Sequence, residues 1–248
     1  MGDQILLKPK GSIDLGNNAC RYCKQGEHVR RHGFGRGGHQ RYYCTACRRT
    51  FQLNYHYRAH EPGMKEQIVE MALNGSGVRG TVRVLKVGIN TVIRTFKKLN
   101  PIQLTQDLDT LEDAQLICEL DEMWSYVGNK DEQVWLWLVV DSKRRKPIAH
   151  FFGPRTDASC RQLLEIIEPL HVAMFTSDDW GSYKRCIAPE QHLTGKIFTQ
   201  RVERQNLTLR TRIKRLHRKT PCFSRSREIH EKVIGTFLER EFYNALEA

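Results

Sequence analysis

Three acidic side chains in the second half of the chain sit where phosphoryl-transfer chemistry would need them. Asp121 leaves the run Leu116-Ile-Cys-Glu-Leu120, and Asp178 follows the run Val172-Ala-Met-Phe-Thr176. Glu203 comes after Asp178 with 24 residues between them. It is the only acid between Glu190 and Glu228, and nine cations lie around it from Lys196 to Lys219. A lone carboxylate in such a field is held ionised and can ligate a cation that phosphates also touch. Three acids converging from two strand ends and a following helix can hold two divalent ions about 3.5–4 Å apart, the arrangement that drives in-line displacement at phosphorus. Mg²⁺ or Mn²⁺ is expected there, because hard cations take oxygen ligands.

A second constellation lies near the N-terminus. Cys20-x-x-Cys23 and Cys44-x-x-Cys47 are matched pairs with 20 residues between them. Each pair forms a knuckle aiming two thiolates at one point, and two knuckles supply the four sulfurs a structural Zn²⁺ prefers. Few aliphatics surround them, so metal binding would provide folding free energy. Disulfides or free thiols are the alternative, and His28, His32 or His39 could replace one ligand. Between the knuckles, Arg30, Arg31, Arg36 and Arg41 alternate with His, Phe34, Tyr42 and Tyr43. Guanidinium groups beside stackable rings suit contact with DNA phosphates and bases. Tyr43 reads as a structural ring over the metal site.

The elements that must position these groups follow from charge and periodicity. The net charge is +12, distributed as +8 over residues 1–60, +4 over 61–102, −7 over 103–190 and +7 over 191–248. Basic flanks around an acidic middle favour a polyanionic partner and a divalent metal. No apolar run approaches the roughly 20 residues of a membrane helix, so no membrane association is expected. The opening MGDQILLKPKGS lacks the apolar stretch of a secretion signal. We therefore expect a reducing, cytoplasmic setting, nucleoid-associated in a bacterium. The composition divides the chain into a zinc ribbon over 16–60, an all-α helix-turn-helix over 61–100, a linker over 101–113 and a catalytic domain over 114–242.

In the helix-turn-helix part, Met64–Leu73 puts Ile68, Met71 and Ala72 on one face and ends at Asn74-Gly75. Thr81 is expected to cap a second helix, Gly88 to make a turn at positive φ, and Asn90 to cap a third helix over Thr91–Leu99. Asn90, Thr91, Arg94, Thr95, Lys97 and Lys98 would then face outward as a DNA-reading surface. In the last part, strands are expected over 116–127, 134–140, 146–152 and 172–176, polar connections over 128–133 and 142–145, and helices over 158–167 and from Thr199 to about Leu216. Three antiparallel strands, a helix, a parallel strand and further helices make an α/β ribonuclease H-like mixed sheet.

The stretches GHQRYYC, ALNGSGVRGTVRVLKVGINTV, ELDEMWSYVG, TSDDWGSY and QRVERQNLTLR, spread over nearly the whole chain, resemble the transposase of the insertion-sequence-one family of bacterial mobile elements in its full-length fused form. The resemblance implies a zinc-finger and helix-turn-helix part that recognises terminal inverted repeats in double-stranded DNA. It also implies an acidic-triad domain that cuts element ends and joins them to target DNA with Mg²⁺, the triad falling on Asp121, Asp178 and Glu203. Where the family has Asp-Gly-Trp, this chain has Asp178-Asp179-Trp180, which makes Asp179 a rival second acid; strand-end position and the Trp180 register favour Asp178. Holding two ends together calls for a homo-oligomer. A DNA-binding regulator with an inert catalytic domain and a structure-selective nuclease are the competing functions.

Other residues carry smaller expectations. Glu119 or Glu122 could be a spare ligand beside Asp121, but both read more readily as solvated acids, with Asp141 a lesser candidate ligand. Arg210, two turns after Glu203, could hold a phosphate alongside Arg201 and Arg204, or be a solvated cation. Asn206 could orient Glu203. Trp124, Trp135 and Trp137 read as core or sheet surface, Trp180 as core with stacking on an end base the alternative, and Cys118, Cys160, Cys186 and Cys222 have no paired spacing.

Overall fold

The computed structural model describes residues 19–35, 37–53, 57–106, 115–195 and 200–243. They fall into two compact units, one ending at Tyr57 and one starting at Arg58.

The first unit is a three-stranded antiparallel sheet in the order β1 (Val29–Phe34), β2 (Gln40–Cys44), β3 (Thr50–Gln52). Its small core is Val29, Tyr42, Phe51, Cys20 and Cys44. Tyr42 and Phe51 pack with ring centroids 5.9 Å apart. The ring in the core is thus Tyr42 and not Tyr43. Period-two alternation explains the exchange: Tyr42 pairs across to Phe51 on the inner face, while Tyr43 pairs with Arg30 on the other.

The second unit begins with helices α1 (Met64–Leu73), α2 (Val78–Leu85) and α3 (Ile89–Lys97). Three expected end signals fall elsewhere. Thr81 lies buried inside α2, its hydroxyl donating to the Gly77 carbonyl. Asn90 is in the first turn of α3, whose N-cap is Gly88 at φ −70. The residue at positive φ is Lys86, at φ 56. Glycines can therefore begin both helices without a side-chain cap.

A five-stranded mixed sheet follows, in the order β6-β5-β4-β7-β8. β4 (Ile117–Val127), β5 (Asn129–Asp141) and β6 (Lys146–Gly153) form an antiparallel meander, while β7 (Met174–Ser177) runs parallel to β4 and β8 (His192–Thr194) parallel to β7. This is the ribonuclease H-like mixed sheet. The polar stretch 128–133 is strand rather than loop: β4 and β5 turn at the single residue Gly128, φ +74, a conformation that a side chain would strain. One face packs on α4 (Asp157–Ile167) and α5 (Gly181–Cys186) through Leu120, Trp137, Leu163 and Tyr183. The other face packs on α6 (Gln200–Arg212) and α7 (Arg227–Leu238) through Met123, Leu138, Leu209 and Ile234. Where the helix onset near Thr199 was expected, residues 196–199 lie outside those described. Of the segment read as linker, Thr105 bonds through its backbone to Ile148, and Leu104 bridges to Ala149 on β6; residues 107–113 lie outside the described ones. Among the described residues no helix is long and apolar enough to cross a membrane.

Candidate active site and metal centre

Alternation along β4 separates its side chains. Cys118 and Leu120 enter the core beneath α4, while Glu119, Asp121 and Met123 meet α6. Leu120 pairs with Ser177 in the parallel β4–β7 ladder, so Asp121, expected at a strand end but found midway along β4, lies level with Asp178 just past the end of β7. Glu203 lies in the first turn of α6. Asp121 feels the charges of both Asp178 and Glu203. Burial first, then the like charges of Glu122, Asp178 and Glu203, push its carboxyl from an ordinary 3.8 up to about 7. Asp178 is half-buried and accepts the Trp180 backbone N–H at 3.0 Å. Asp179 stands with 77% of its side chain exposed in an ion pair with Lys184, turned to solvent.

The three acids do not form a one-ion cage. Among the described residues only the four cysteines bring three or more donor atoms within 4.8 Å of one another. A two-ion site is wider: acids on different ions about 3.5–4 Å apart stand farther from each other than ligands of a single ion.

The neighbouring acids are not solvated as expected. Glu119 is buried and accepts the Val202 backbone N–H at 3.0 Å, which ties the start of α6 to β4. Glu122, also buried, faces the opposite side of the sheet, where the Arg155 Nε donates to it at 2.6 Å and the Tyr183 hydroxyl at 2.8 Å. The Arg155 guanidinium lies between the Trp180 and Trp135 rings, 4.5 and 5.2 Å from their centroids. Asp141 caps the β5–β6 turn, taking the N–H groups of Lys143 and Arg144. Alternation revealed which way these acids point but not what covers them. Asn206 donates to Asp121 Oδ2 at 2.5 Å and so serves that acid rather than Glu203. Arg210 is half-buried within reach of the Asp121 charge; burial and then Arg218 lower its pKa, and Asp121 opposes them. Arg204 is exposed, and the side chain of Arg201 lies outside the described ones.

In the first unit the four cysteine Sγ atoms converge, Cys20 to Cys47 at 3.6 Å and Cys23 to Cys44 at 3.5 Å. No disulfide joins them. Four sulfurs tetrahedrally placed at about 2.3 Å from one ion would be about 3.8 Å apart, close to this spacing. Burial pushes Cys47 up to about 12; burial also opposes ionisation of Cys20, but backbone N–H groups of Cys23 and Tyr22 and the adjoining thiols bring it down to about 6. On the sheet's outer face, Arg30 lies 5.1 Å over the Tyr43 ring, and the His32 ring lies tilted against it with centroids 5.5 Å apart. Arg31 and Arg41 are exposed, and Arg36 lies outside the described residues.

On α3, Asn90, Arg94, Lys97 and Lys98 are exposed and Thr91 is half-buried. Thr91, Arg94 and Lys98 line a groove of about 400 Å³ together with Lys65, Glu66 and Arg240. Lys97 pairs with Glu228 at 3.7 Å.

A family model described as IS1 transposase matches residues 115–244, which carry the whole acid cluster. The chain belongs to the IS1 transposase family. A second model, the InsA C-terminal domain, matches residues 55–99, the three-helix part, so an IS1-type DNA-binding helix-turn-helix and the transposase domain lie on one chain. The insertion element iso-IS1n protein InsB of Shigella dysenteriae is 63% identical over 128 residues, covering 52% of this chain and 98% of that protein. The insertion element IS1 9 protein InsB of Escherichia coli K12 is 40% identical over 149 residues, covering 60% of this chain and 89% of its own length. An intasome structure from simian T-cell lymphotropic virus, in complex with PP2A regulatory subunit B56 gamma, aligns at 15% identity over 58% of this chain and 59% of that one; its TM-score of 0.33 carries no argument. This transposase therefore acts in DNA transposition, and its acids and cysteines suit divalent metal.

Proposed function

We propose that this IS1-family transposase cleaves DNA at the terminal inverted repeats of its element and joins the freed 3′ ends to target DNA, with Asp121, Asp178 and Glu203 as the catalytic acids. The observation that supports this reading is that Asp121 on β4 feels the charges of Asp178, just past β7, and of Glu203 on α6, and is raised to about 7 by burial and like charge. Among the described residues no ion pair closes on any of the three. An all-carboxylate set fits Mg²⁺ or Mn²⁺. When bound, the divalent metal would polarise phosphate oxygens and make the attacking hydroxyl more acidic.

The chain's own residues do the rest. Asp121 and Asp178 are fixed to adjoining strands, so their separation does not change as DNA enters. Arg210, beside Asp121, takes a phosphate oxygen near the scissile bond, and Arg201 and Arg204 hold the same strand by charge. The four cysteines hold a structural Zn²⁺. Arg30, Arg31, Arg36 and Arg41 with Asn90, Thr91, Arg94, Lys97 and Lys98 bind the double-stranded element ends. The division into a zinc ribbon at 16–60, a helix-turn-helix at 61–100, a linker at 101–113 and a catalytic domain at 114–242 is part of this reading. Joining two ends requires a homo-oligomer, working on the nucleoid in the cytoplasm.

The test is cleavage and strand transfer on linear element ends with Mg²⁺. Alanine at Asp121, Asp178 or Glu203 should abolish both reactions while end binding persists, and Asp179→Ala should remain active. Wild-type protein that binds ends but never nicks them would point to a regulator. Cutting without joining, indifferent to end sequence, would point to a nuclease.

A further inference from the structure

The residues that α6 and the position just after it turn toward the sheet are Val202, Asn206, Leu209 and Ile213, spaced four, three and four apart, and all are buried. Three of them join the apolar core around Met123 and Leu138. Asn206 is the exception, an amide with 8% of its surface exposed in a stripe where leucine would pack. Its Nδ2 donates to Asp121 Oδ2 at 2.5 Å, and its buried Oδ1 has no hydrogen-bond partner. An ionised carboxylate only accepts, so the amide must present its N–H side to Asp121 and leave its carbonyl unmet. Packing gains nothing from that arrangement, whereas the carboxylate gains a fixed rotamer.

We infer that Asn206 is a positioning residue for transfer: its amide N–H holds Asp121 Oδ2, so that Oδ1 is presented to the ground shared with Asp178 and Glu203. The inference rests on the proposed role of those acids. A hydrogen-bond partner behind a metal-ligating carboxylate typically contributes about 10- to 100-fold in metal affinity. Asn206 acts on Asp121 and not on DNA, so its loss should lower kcat and leave the KM for element ends alone.

The experiment uses full-length protein, with Mn²⁺ binding followed by the electron paramagnetic resonance of the free ion. Melting temperature and cleavage kinetics are measured beside it. Asn206→Leu completes the apolar stripe, and the variant should melt no lower than wild type. It should bind Mn²⁺ at least about 10-fold more weakly and lose kcat at unchanged KM. Asp121→Asn is the reference. If Asp121→Asn loses Mn²⁺ and Asn206→Leu binds it as wild type does, the positioning role is overturned. If Asp121→Asn itself binds Mn²⁺ normally, the acid-cluster reading fails and the inference goes with it. Asn206→Ala, which cannot clash, answers the same question by the same outcomes if the leucine variant does not fold.

Discussion

Asp121 and Glu122 are adjacent acids with opposite surroundings. Glu122 is pinned by Arg155 and Tyr183, whereas Asp121 has the Asn206 amide and the like charges of Glu122, Asp178 and Glu203 around it, with the Arg210 charge within reach. The first arrangement is structural, the second suited to cation binding. Removing Arg155 leaves a buried carboxylate unpaired, which in buried pairs costs about 3–5 kcal/mol. The Arg155 side chain is 38% exposed, so water can partly replace it and the lower end applies. Arg155→Ala should therefore lose roughly 3 kcal/mol in urea unfolding at neutral pH, and adding Glu122→Gln should recover part of it; equal stability of wild type and Arg155→Ala would contradict the pairing. The sequence makes Asp121 visible, because an acid in an alternating strand pattern is a local feature, although it lies midway along β4 and not at its end. It hides the fate of Glu122, whose partners lie 33 and 61 residues away.

Elements were legible in proportion to their length and periodicity. β4, β6 and α4 carry enough alternating or helical pattern to be read within a residue, whereas the polar first five residues of β5 were read as loop. β8 has three residues and α5 six, too few for a period to show, yet they supply His192 beside Ser177 and Tyr183 beneath Glu122. Cap signals misled at Thr81 and Asn90 because glycine opens α2 and α3, while Thr156 and Ser226 do cap α4 and α7. The cysteine knuckles were plain because spacing alone brings four thiols together. Their sheet buries few apolar side chains, so its fold should depend on the metal. Cys20→Ser should lower the zinc content measured by elemental analysis and abolish specific end binding. The circular dichroism of the ribonuclease H-like part should persist. Wild-type zinc content in that variant would refute the assignment.

Across the whole molecule, α7 is the element that no local pattern assigned to its place. Its Ile229 and Val233 close the core of the three N-terminal helices, while Ile234, Phe237 and Leu238 enter the core under the sheet. Gly235 lets it approach closely, since a Cβ there would meet Pro101 Cγ at 2.7 Å. Two buried histidines fasten the same region: His230 bonds Ser125 and Ser224 at 2.9 Å each, and His150 bonds the Tyr243 hydroxyl at 2.8 Å. Burial lowers both to about 3, with Arg215 and Arg227 adding to the effect at His230. Their pKa values in the unfolded chain are near 6.5. Between those values the unfolded state takes up protons that the native state refuses, so stability falls as the pH drops, by up to about 1.4 kcal/mol per pH unit for each histidine. Without divalent metal Asp121 acts in the opposite sense, its raised pKa favouring the fold as pH falls from about 7 toward 3.8. The raised Glu122 acts with Asp121 and the lowered His192 with the two buried histidines, so the histidines prevail and stability falls with pH between roughly pH 6.5 and 4. Because α7 spans both cores, α1–α3 and the sheet should unfold in one transition, and that transition should carry the acid slope. Urea titrations at pH 7, 6 and 5, followed by circular dichroism and tryptophan fluorescence, would test this. The two probes should coincide, and His230→Gln should reduce the slope. Separate transitions for the two signals, or a slope indifferent to His230, would show that α7 does not couple the helices to the sheet in this way.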